Sequence, residues 1–443
     1  MPVTTRRKHS FQMQTSPVTD PSVTRLETSI PPATSTSPES NKQQQEQTPA
    51  RETLHRSQIT PVEATAILNQ QAFDISPIPD VEVSGIRKLQ IASLSANEAN
   101  EDAYAYDFLP DAVTKYSDTA KVRVQGEEKN WSFFAVYDGH YGPSTSTYLK
   151  STLIPSLYTS LLTLYKSHLP APPPTSQITT TIQSTFKSLD STLVATITPQ
   201  STQGSCALLT FHDARHNLLF TACTGDSRCT LGKRLGPPKS TRWLSKPLST
   251  DQNFSSNPSE SARVRAEHPG EKDVILQNRL IGDLAVSRAF GNRRFKIPDE
   301  GKSTRNKRQY GVLRTPPYIT AEPVVTVYED VKDGDFVILA TDGLWDFLSS
   351  EDAVALVGRW TDEHIHNSNH NSNSNKRRTR LTGSQEEIYV FENDDNVGVH
   401  LIRNALGGVR REKLLFTLGL EPGVNKAKKH RDDITVLAAF FGA

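Results

Sequence analysis

Three cysteines in 443 residues, Cys206, Cys223 and Cys229, are too few for a disulfide framework. None forms a CxxC pair, which removes the usual signature of a zinc site, and so sparse a set fits a reducing compartment. Long apolar runs are missing as well: the longest are strand-length, far short of the ~18 residues that span a bilayer. Nor is there an excess of either charge, with 50 Lys and Arg against 49 Asp and Glu. That balance gives no electrostatic case for nucleic acid or an anionic membrane as partner. The chain has neither a P-loop nor a cysteine in a phosphate-binding loop, so those two designs for phosphoryl transfer are disfavoured. It reads as a soluble protein.

What is present falls into two parts. Residues 1–84 are rich in Ser, Thr, Pro and Gln, as in "PPATSTSPESNKQQQEQTP", and show no sustained periodicity. Burial there cannot offset chain entropy, so disorder is expected. The first 19 residues carry Arg6, Arg7 and Lys8 without an acid, a bias shared by flexible tails and mitochondrial presequences. Organised sequence is expected from residue 85 to 443. "WSFFAVY", "CALLTF", "NLLFTACT", "DFVILAT" and "ITVLAAFF" read as strands, short and apolar with turn or polar residues at their ends. They cluster in pairs with helical stretches elsewhere, which argues for α+β architecture with antiparallel sheets. One such helix, "SEDAVALVGRW", has Ser349 or Ser350 available as its cap. "HLPAPPPTSQ" is a Pro-rich link, and a low-complexity insertion near 362–390 carries three histidines among Asn and Ser, expected as a solvated loop.

The chemistry is carried by acids at strand ends. Asp138 follows "FFAVY", Asp226 follows "LLFTACTG", Asp342 follows "FVILAT" with Asp346 four residues on, and Asp432-Asp433 precede "ITVLAAFF". Glu101-Asp102 open "NEDAYAYDF". Carboxylates held at the end of a rigid sheet would repel one another unless cations neutralise them, and hard oxygen donors suit Mg²⁺ or Mn²⁺. Taken singly, each has an ordinary alternative: Asp-Gly after a strand is a common hairpin turn, and Asp226 in "GDSR" could pair with Arg228. Gly139 lets the backbone approach closely enough for its carbonyl to act as a ligand, and His140 beside it is a proton donor for an alkoxide leaving group. Two metals sharing a carboxylate can hold a hydroxide for in-line attack on phosphorus, which would be hydrolysis of a phosphate ester without a covalent intermediate.

"NEDAYAY", "FFAVYDGHYG", "GSCALLTF", "TGDSRCTLG", "LAVSRAFGN", "ILATDGLWDFLS" and "RDDITVLAAFF" together resemble the ordered motifs of PP2C-type (PPM) metal-dependent protein serine/threonine phosphatases. The resemblance runs from about residue 85 to 443. It implies a four-layer αββα sandwich of two antiparallel sheets flanked by helices, with a two-metal centre at one end. It further implies Asp138 as the ligand bridging both metals, the Gly139 carbonyl on the first, Asp342 on the second, and Asp432 rather than Asp433 as the last ligand. Glu101 and Asp102 match an acidic pair that meets the metals directly or through water, Asp226 and Asp346 match positions tied to a weaker third metal, and His140 matches the general acid.

"TPPYITAEPVV", "SARVRAEHPGE", "RAFGNRRFK" and "HLIRNALGG" resemble the pyruvate dehydrogenase phosphatase branch. That branch implies the phosphorylated pyruvate dehydrogenase α subunit as substrate and the mitochondrial matrix as location. Asn97 stands where many family members carry a phosphate-binding Arg, as in that branch, so the phosphate-binding cation is left unassigned. Cys206 stands where Thr is usual, with little effect expected. Two other readings use the same fold: a cytosolic phosphatase with another phosphoprotein substrate, and an inactive scaffold. The scaffold is disfavoured because Asp138, Asp342 and Asp432 are all present.

Overall fold

In the run from Trp131 to Tyr137 every residue is buried, with alternate side chains entering different cores. Phe133, Ala135 and Tyr137 face one hydrophobic cluster, and Phe134 and Val136 face another. Residues 336–340 behave alike: Phe336, Ile338 and Ala340 go to one side, Val337 and Leu339 to the other. A strand buried on both faces lies between two layers, and the period-2 alternation of apolar residues dictates which layers. The computed structural model describes residues 59–75, 81–117, 129–198, 201–236, 242–298, 313–364, 378–379, 389–390, 394–423 and 426–442.

The first sheet has six strands, in the order Ala72–Ile75, Ile86–Leu94, Ile434–Phe441, Phe336–Ala340, Arg228–Leu235, Arg242–Pro247. The second has five: Val324–Tyr328, Leu218–Thr224, Ala207–Asp213, Asn130–Tyr137, Ala103–Pro110. Every pairing within both is antiparallel. Between the sheets lie Ile91, Phe134, Val136, Leu208, Leu219, Leu231, Val337, Leu339 and Leu437. The outer face of the second sheet is covered by Ser144–Lys166 and Thr175–Thr196. Leu149, Leu153, Leu157 and Leu161, four residues apart, form the buried stripe of the first of these helices. Ser350–His364 and Val397–Leu406 cover the outer face of the first sheet. The layers are therefore helix, sheet, sheet, helix, as expected. Among the described residues, no helix is long and apolar enough to cross a membrane.

The fold begins before residue 85. Pro61–Asn69 is a helix with a complete capping box, in which the Thr60 hydroxyl accepts from Glu63 N–H and the Glu63 carboxylate accepts from Thr60 N–H. Its Ala64 and Leu68 are buried in the core over the first sheet. Ala72–Ile75 then pairs with Leu89–Ala92 as the edge strand. Nine residues of helix and four of strand are too short for periodicity to stand out beside a polar tail. Residues 1–58, with Arg6, Arg7 and Lys8, lie outside the described residues.

Ser349 is the cap of the helix Ser350–His364: its Oγ accepts from Asp352 N–H at 3.1 Å. That helix runs into the expected insertion, and His364 stacks on Trp360 at 4.4 Å between ring centres instead of lying in a loop. Beyond it, 365–377 and 380–388 lie outside the described residues, while Arg378–Thr379 pairs with Tyr389–Val390.

Candidate metal centre

Strand register brings the acids to one end of the sandwich. Ala103 pairs with Tyr137, so Asp102 and Asp138 leave adjacent strands of the second sheet side by side. Ala340 pairs with Val436 in the first sheet, which sets Asp342 against the segment carrying Asp432 and Asp433. A Cβ on Gly343 would lie 2.1 Å from the Asp433 carbonyl oxygen. Asp226 follows Leu218–Thr224, the strand beside Ala207–Asp213. Donor atoms of Asp138, Cys206 and Asp226 all lie within 4.8 Å of one another.

The electrostatics show the same convergence. Burial pushes Asp138 well above the usual carboxylate range, and the charges of Asp342, Asp102, Asp226 and Asp432 push it further. Burial likewise raises Asp342, with Asp226, Asp432, Asp346 and Asp102 adding to it. Asp102 is raised by burial and by Asp433, against hydrogen bonds from Thr341 and Thr435. Asp226 is pushed up to about 6, mainly by burial. Glu101 and Asp346 are also raised by burial, opposed in part by Lys428 for Glu101 and Arg228 for Asp346. Two carboxylates 4–5 Å apart repel by on the order of 3–4 kcal/mol at an effective dielectric of ~20. Several such pairs rival the whole stability of a domain, roughly 5–15 kcal/mol. The residues fit divalent cations: they offer hard oxygen donors, and no cation of the chain is among the groups that act most strongly on Asp138 and Asp342.

Each acid is positioned by the backbone around it. Asp102 Oδ2 accepts from the Thr341 hydroxyl at 2.8 Å, which ties the two sheets together at the site. Thr341 Oγ1 in turn accepts from Thr435 N–H at 2.9 Å. Gly139 is required by space: a Cβ there would meet the Glu101 carbonyl at 2.2 Å. His140 Nε2 lies 2.9 Å from Asn292 Oδ1. Burial pushes its imidazole down to about 4, with Lys296 and Lys428 adding and Asn292 opposing, so it is neutral at pH 7. Asn292 itself sits at φ 47° and donates to the Thr202 carbonyl at 2.5 Å.

Four features were not legible as functional. Asp433 has both oxygens taken up by the chain, accepting from Ala96 N–H at 2.5 Å, Asn97 N–H at 3.0 Å, Asn97 Nδ2 at 2.9 Å and Glu101 N–H at 2.8 Å. Asn97 also donates to Glu101 Oε2 at 3.1 Å. Cys206 is more than neutral filler, since its thiol donates to Asp226 Oδ1 at 3.3 Å and its N–H to the Asp138 carbonyl at 2.8 Å. Lys428 forms an ion pair with Asp432. The basic run "KAKKHR" just before Asp432 was the available signal for Lys428. The expected alternative for Asp226 does not hold: Arg228 pairs with Asp251, at 2.6 and 3.0 Å.

The family model for protein phosphatase 2C matches residues 104–389, well over half of the chain. The chain belongs to the protein phosphatase 2C family. It is accordingly a protein serine/threonine phosphatase of a metal-dependent family. A protein phosphatase 2C homolog of Schizosaccharomyces pombe is 34% identical over 82% of this chain and 86% of its own. A mitochondrial protein of Saccharomyces cerevisiae, named [pyruvate dehydrogenase [acetyl-transferring]]-phosphatase 1, is 32% identical over 81% of this chain and 69% of its own. A serine-threonine phosphatase 2C from Toxoplasma gondii is a structural neighbour at 17% identity and TM-score 0.49, covering 84% of this chain and 99% of that one.

Proposed function

We propose that the carboxylate cluster holds two Mg²⁺ or Mn²⁺ ions, with a weaker third, and that the enzyme dephosphorylates the pyruvate dehydrogenase α subunit in the mitochondrial matrix. The observation that carries the metal reading is the mutual repulsion of Asp138, Asp342, Asp102 and Asp226 at one sandwich end. In this reading Asp138 and the Gly139 carbonyl serve the first ion, Asp138 and Asp342 the second, and Asp432 completes the set. Glu101 and Asp102 meet the ions directly or through water, and Asp226 and Asp346 serve the third. The saturation of both Asp433 oxygens by Ala96, Asn97 and Glu101 supports Asp432 as the ligand of that pair. When bound, such ions neutralise phosphoryl charge and lower the pKa of water.

The chain's own part is positioning and proton transfer. Asn292 holds the His140 ring at the edge of the cluster. A neutral His140 takes up a proton from water when negative charge arrives beside it, as the phosphoryl group of a substrate would supply, and returns to neutral on giving that proton up. His140 then protonates the departing serine or threonine oxygen. The substrate and location rest on similarity to the yeast mitochondrial phosphatase and on the basic, acid-free first 19 residues.

The test compares Mn²⁺-dependent release of phosphate from the phosphorylated α subunit with release from a generic phosphopeptide. A strong preference for the α subunit is expected, and equal turnover would remove the substrate assignment. Diffuse cytosolic signal from a C-terminally tagged full chain would remove the matrix assignment.

A further inference from the structure

Lys428 projects from the short 3₁₀ turn Ala427–Lys429, which is anchored by buried Ala427. The Ala427 carbonyl accepts from His430 N–H at 2.8 Å and Arg431 N–H at 3.0 Å, fixing the turn directly before Asp432. The half-buried ammonium pairs with Asp432. Its charge also acts on Glu101, Asp433 and His140.

Of the other cations nearby, Lys426 pairs with exposed Glu421, outside the cluster, and the rest are held away from it or closed to solvent. Arg228 is held by both oxygens of Asp251 and lies over the Trp345 ring at 5.1 Å. Lys296 is bound to Asp190 at 2.6 Å and to the Ala289 carbonyl at 2.7 Å. Arg431 is only 5% exposed, which closes it to a substrate, and it donates to the Ser95 carbonyl at 2.5 Å while its Nε is buried without a partner. Asn97 carries no charge, and its side-chain amide is engaged by Glu101 and Asp433. Lys428 differs because its partner is itself a cluster carboxylate. A divalent cation taking Asp432 removes that partner and leaves an ammonium in need of an anion, since an unpaired half-buried charge is costly. A cavity of about 500 Å³, whose lining includes Asn97, Glu98, Glu101, Pro422, Gly423 and Lys426, opens at Glu101 and gives room for peptide around a phosphoryl group.

We infer that Lys428 binds the phosphoryl dianion of the substrate, and inorganic phosphate as product, once cations occupy the cluster. The inference rests on the cation site proposed above. A Lys–phosphate contact is a charge-assisted hydrogen bond, so its loss is expected to weaken phosphate binding about tenfold.

The experiment measures phosphopeptide KM and kcat, competitive inhibition by inorganic phosphate, and Mn²⁺ binding by calorimetry, for wild type, Lys428→Gln and Lys428→Arg. Lys428→Gln is expected to raise both KM and the phosphate inhibition constant about tenfold without weakening Mn²⁺, with Lys428→Arg within about twofold of wild type. If Lys428 were only a counter-ion for Asp432, Lys428→Gln would tighten Mn²⁺ and leave phosphate inhibition unchanged, which overturns the inference. A measurement on the wild type removes dependence on the variants' folding. Acetylation of Lys428 in the Mn²⁺-loaded enzyme, read by mass spectrometry, should be slowed by phosphate and not by chloride; equal labelling overturns the inference. Absence of Mn²⁺-dependent turnover in the wild type would instead overturn the cation site itself.

Discussion

Asn97 is joined to Asp433 twice, through its backbone N–H at 3.0 Å and its side-chain amide at 2.9 Å, across 336 residues of sequence. The segment leading to Glu101 is thereby fastened to the residue next to Asp432. The two adjacent aspartates do different work. Asp433→Ala strips acceptors from Ala96, Asn97 and Glu101 and should cost roughly 3–5 kcal/mol of stability, seen as a large fall in Tm. Asp432→Ala should keep the fold and weaken Mn²⁺ binding. The reverse pattern, a stable Asp433→Ala beside an unfolded Asp432→Ala, would contradict this division.

Asp138→Ala should abolish Mn²⁺-dependent phosphopeptide hydrolysis while the circular dichroism spectrum stays native. Its carboxylate is raised by burial and by four neighbouring acids, so removing it relieves repulsion, and the metal-free variant should be at least as stable as wild type. Retained turnover would refute the assignment.

His140→Ala should lower kcat by about 10²–10⁴-fold, the usual range for a positioned proton donor, and leave Mn²⁺ affinity largely intact. Asn292→Ala should lower kcat less, because it removes the hydrogen bond that orients the ring and not the ring itself. Loss of Mn²⁺ binding in His140→Ala with no separate rate effect would refute the role.

Asp138, Asp342, Asp102 and Asp226 all have raised pKa values in the metal-free fold. Groups raised on folding stabilise it fully below their unfolded values, near 4 for Asp. That contribution is lost as pH rises through the folded values, about 6 for Asp226. In EDTA, these groups therefore make the fold less stable at pH 8 than at pH 5. Mn²⁺ competes with the protons, so the Tm gain from Mn²⁺ over EDTA should grow from pH 5 to pH 8. A gain independent of pH would count against a carboxylate site.

Removing residues 1–58 should leave Tm within about 2 °C of the full chain. Removing residues 1–80 deletes the buried Ala64 and Leu68 and the edge strand Ala72–Ile75, and should lower Tm sharply or yield aggregated protein. Thr60→Ala alone should cost about 1 kcal/mol through the lost cap.

The strands that carry Asp138, Asp342 and Asp432 were legible because alternation and strand ends are local properties of the chain. Glu101, Asp102, Asp226 and Asp346 were collected from the same strand ends, and the resemblance supplied their separate roles. Asn97 and Asp433 were not legible as a pair, since their contacts depend on a register between segments more than 300 residues apart, whereas Lys428 meets Asp432 locally, four residues on, and a basic run alone does not mark such a pair. The helix at Pro61 was missed although "TPVE" carries a capping box, because a nine-residue helix beside a long polar tail gives a weak periodic signal. Cys206 shows the limit of reading one position by size: a thiol 3.3 Å from Asp226 belongs to the site's hydrogen bonding as well as to its packing.

Asp138 ends a strand of the second sheet, whereas Asp342 and Asp432 belong to the first. An ion held by both meets its full ligand set only after the two sheets have docked. The energy of that ion is thus absent while the sheets are apart, and it acts on escape from the native state, not on entry. Bound cations should slow unfolding and leave refolding from denaturant almost unchanged, giving the enzyme a lifetime set by the metal it carries.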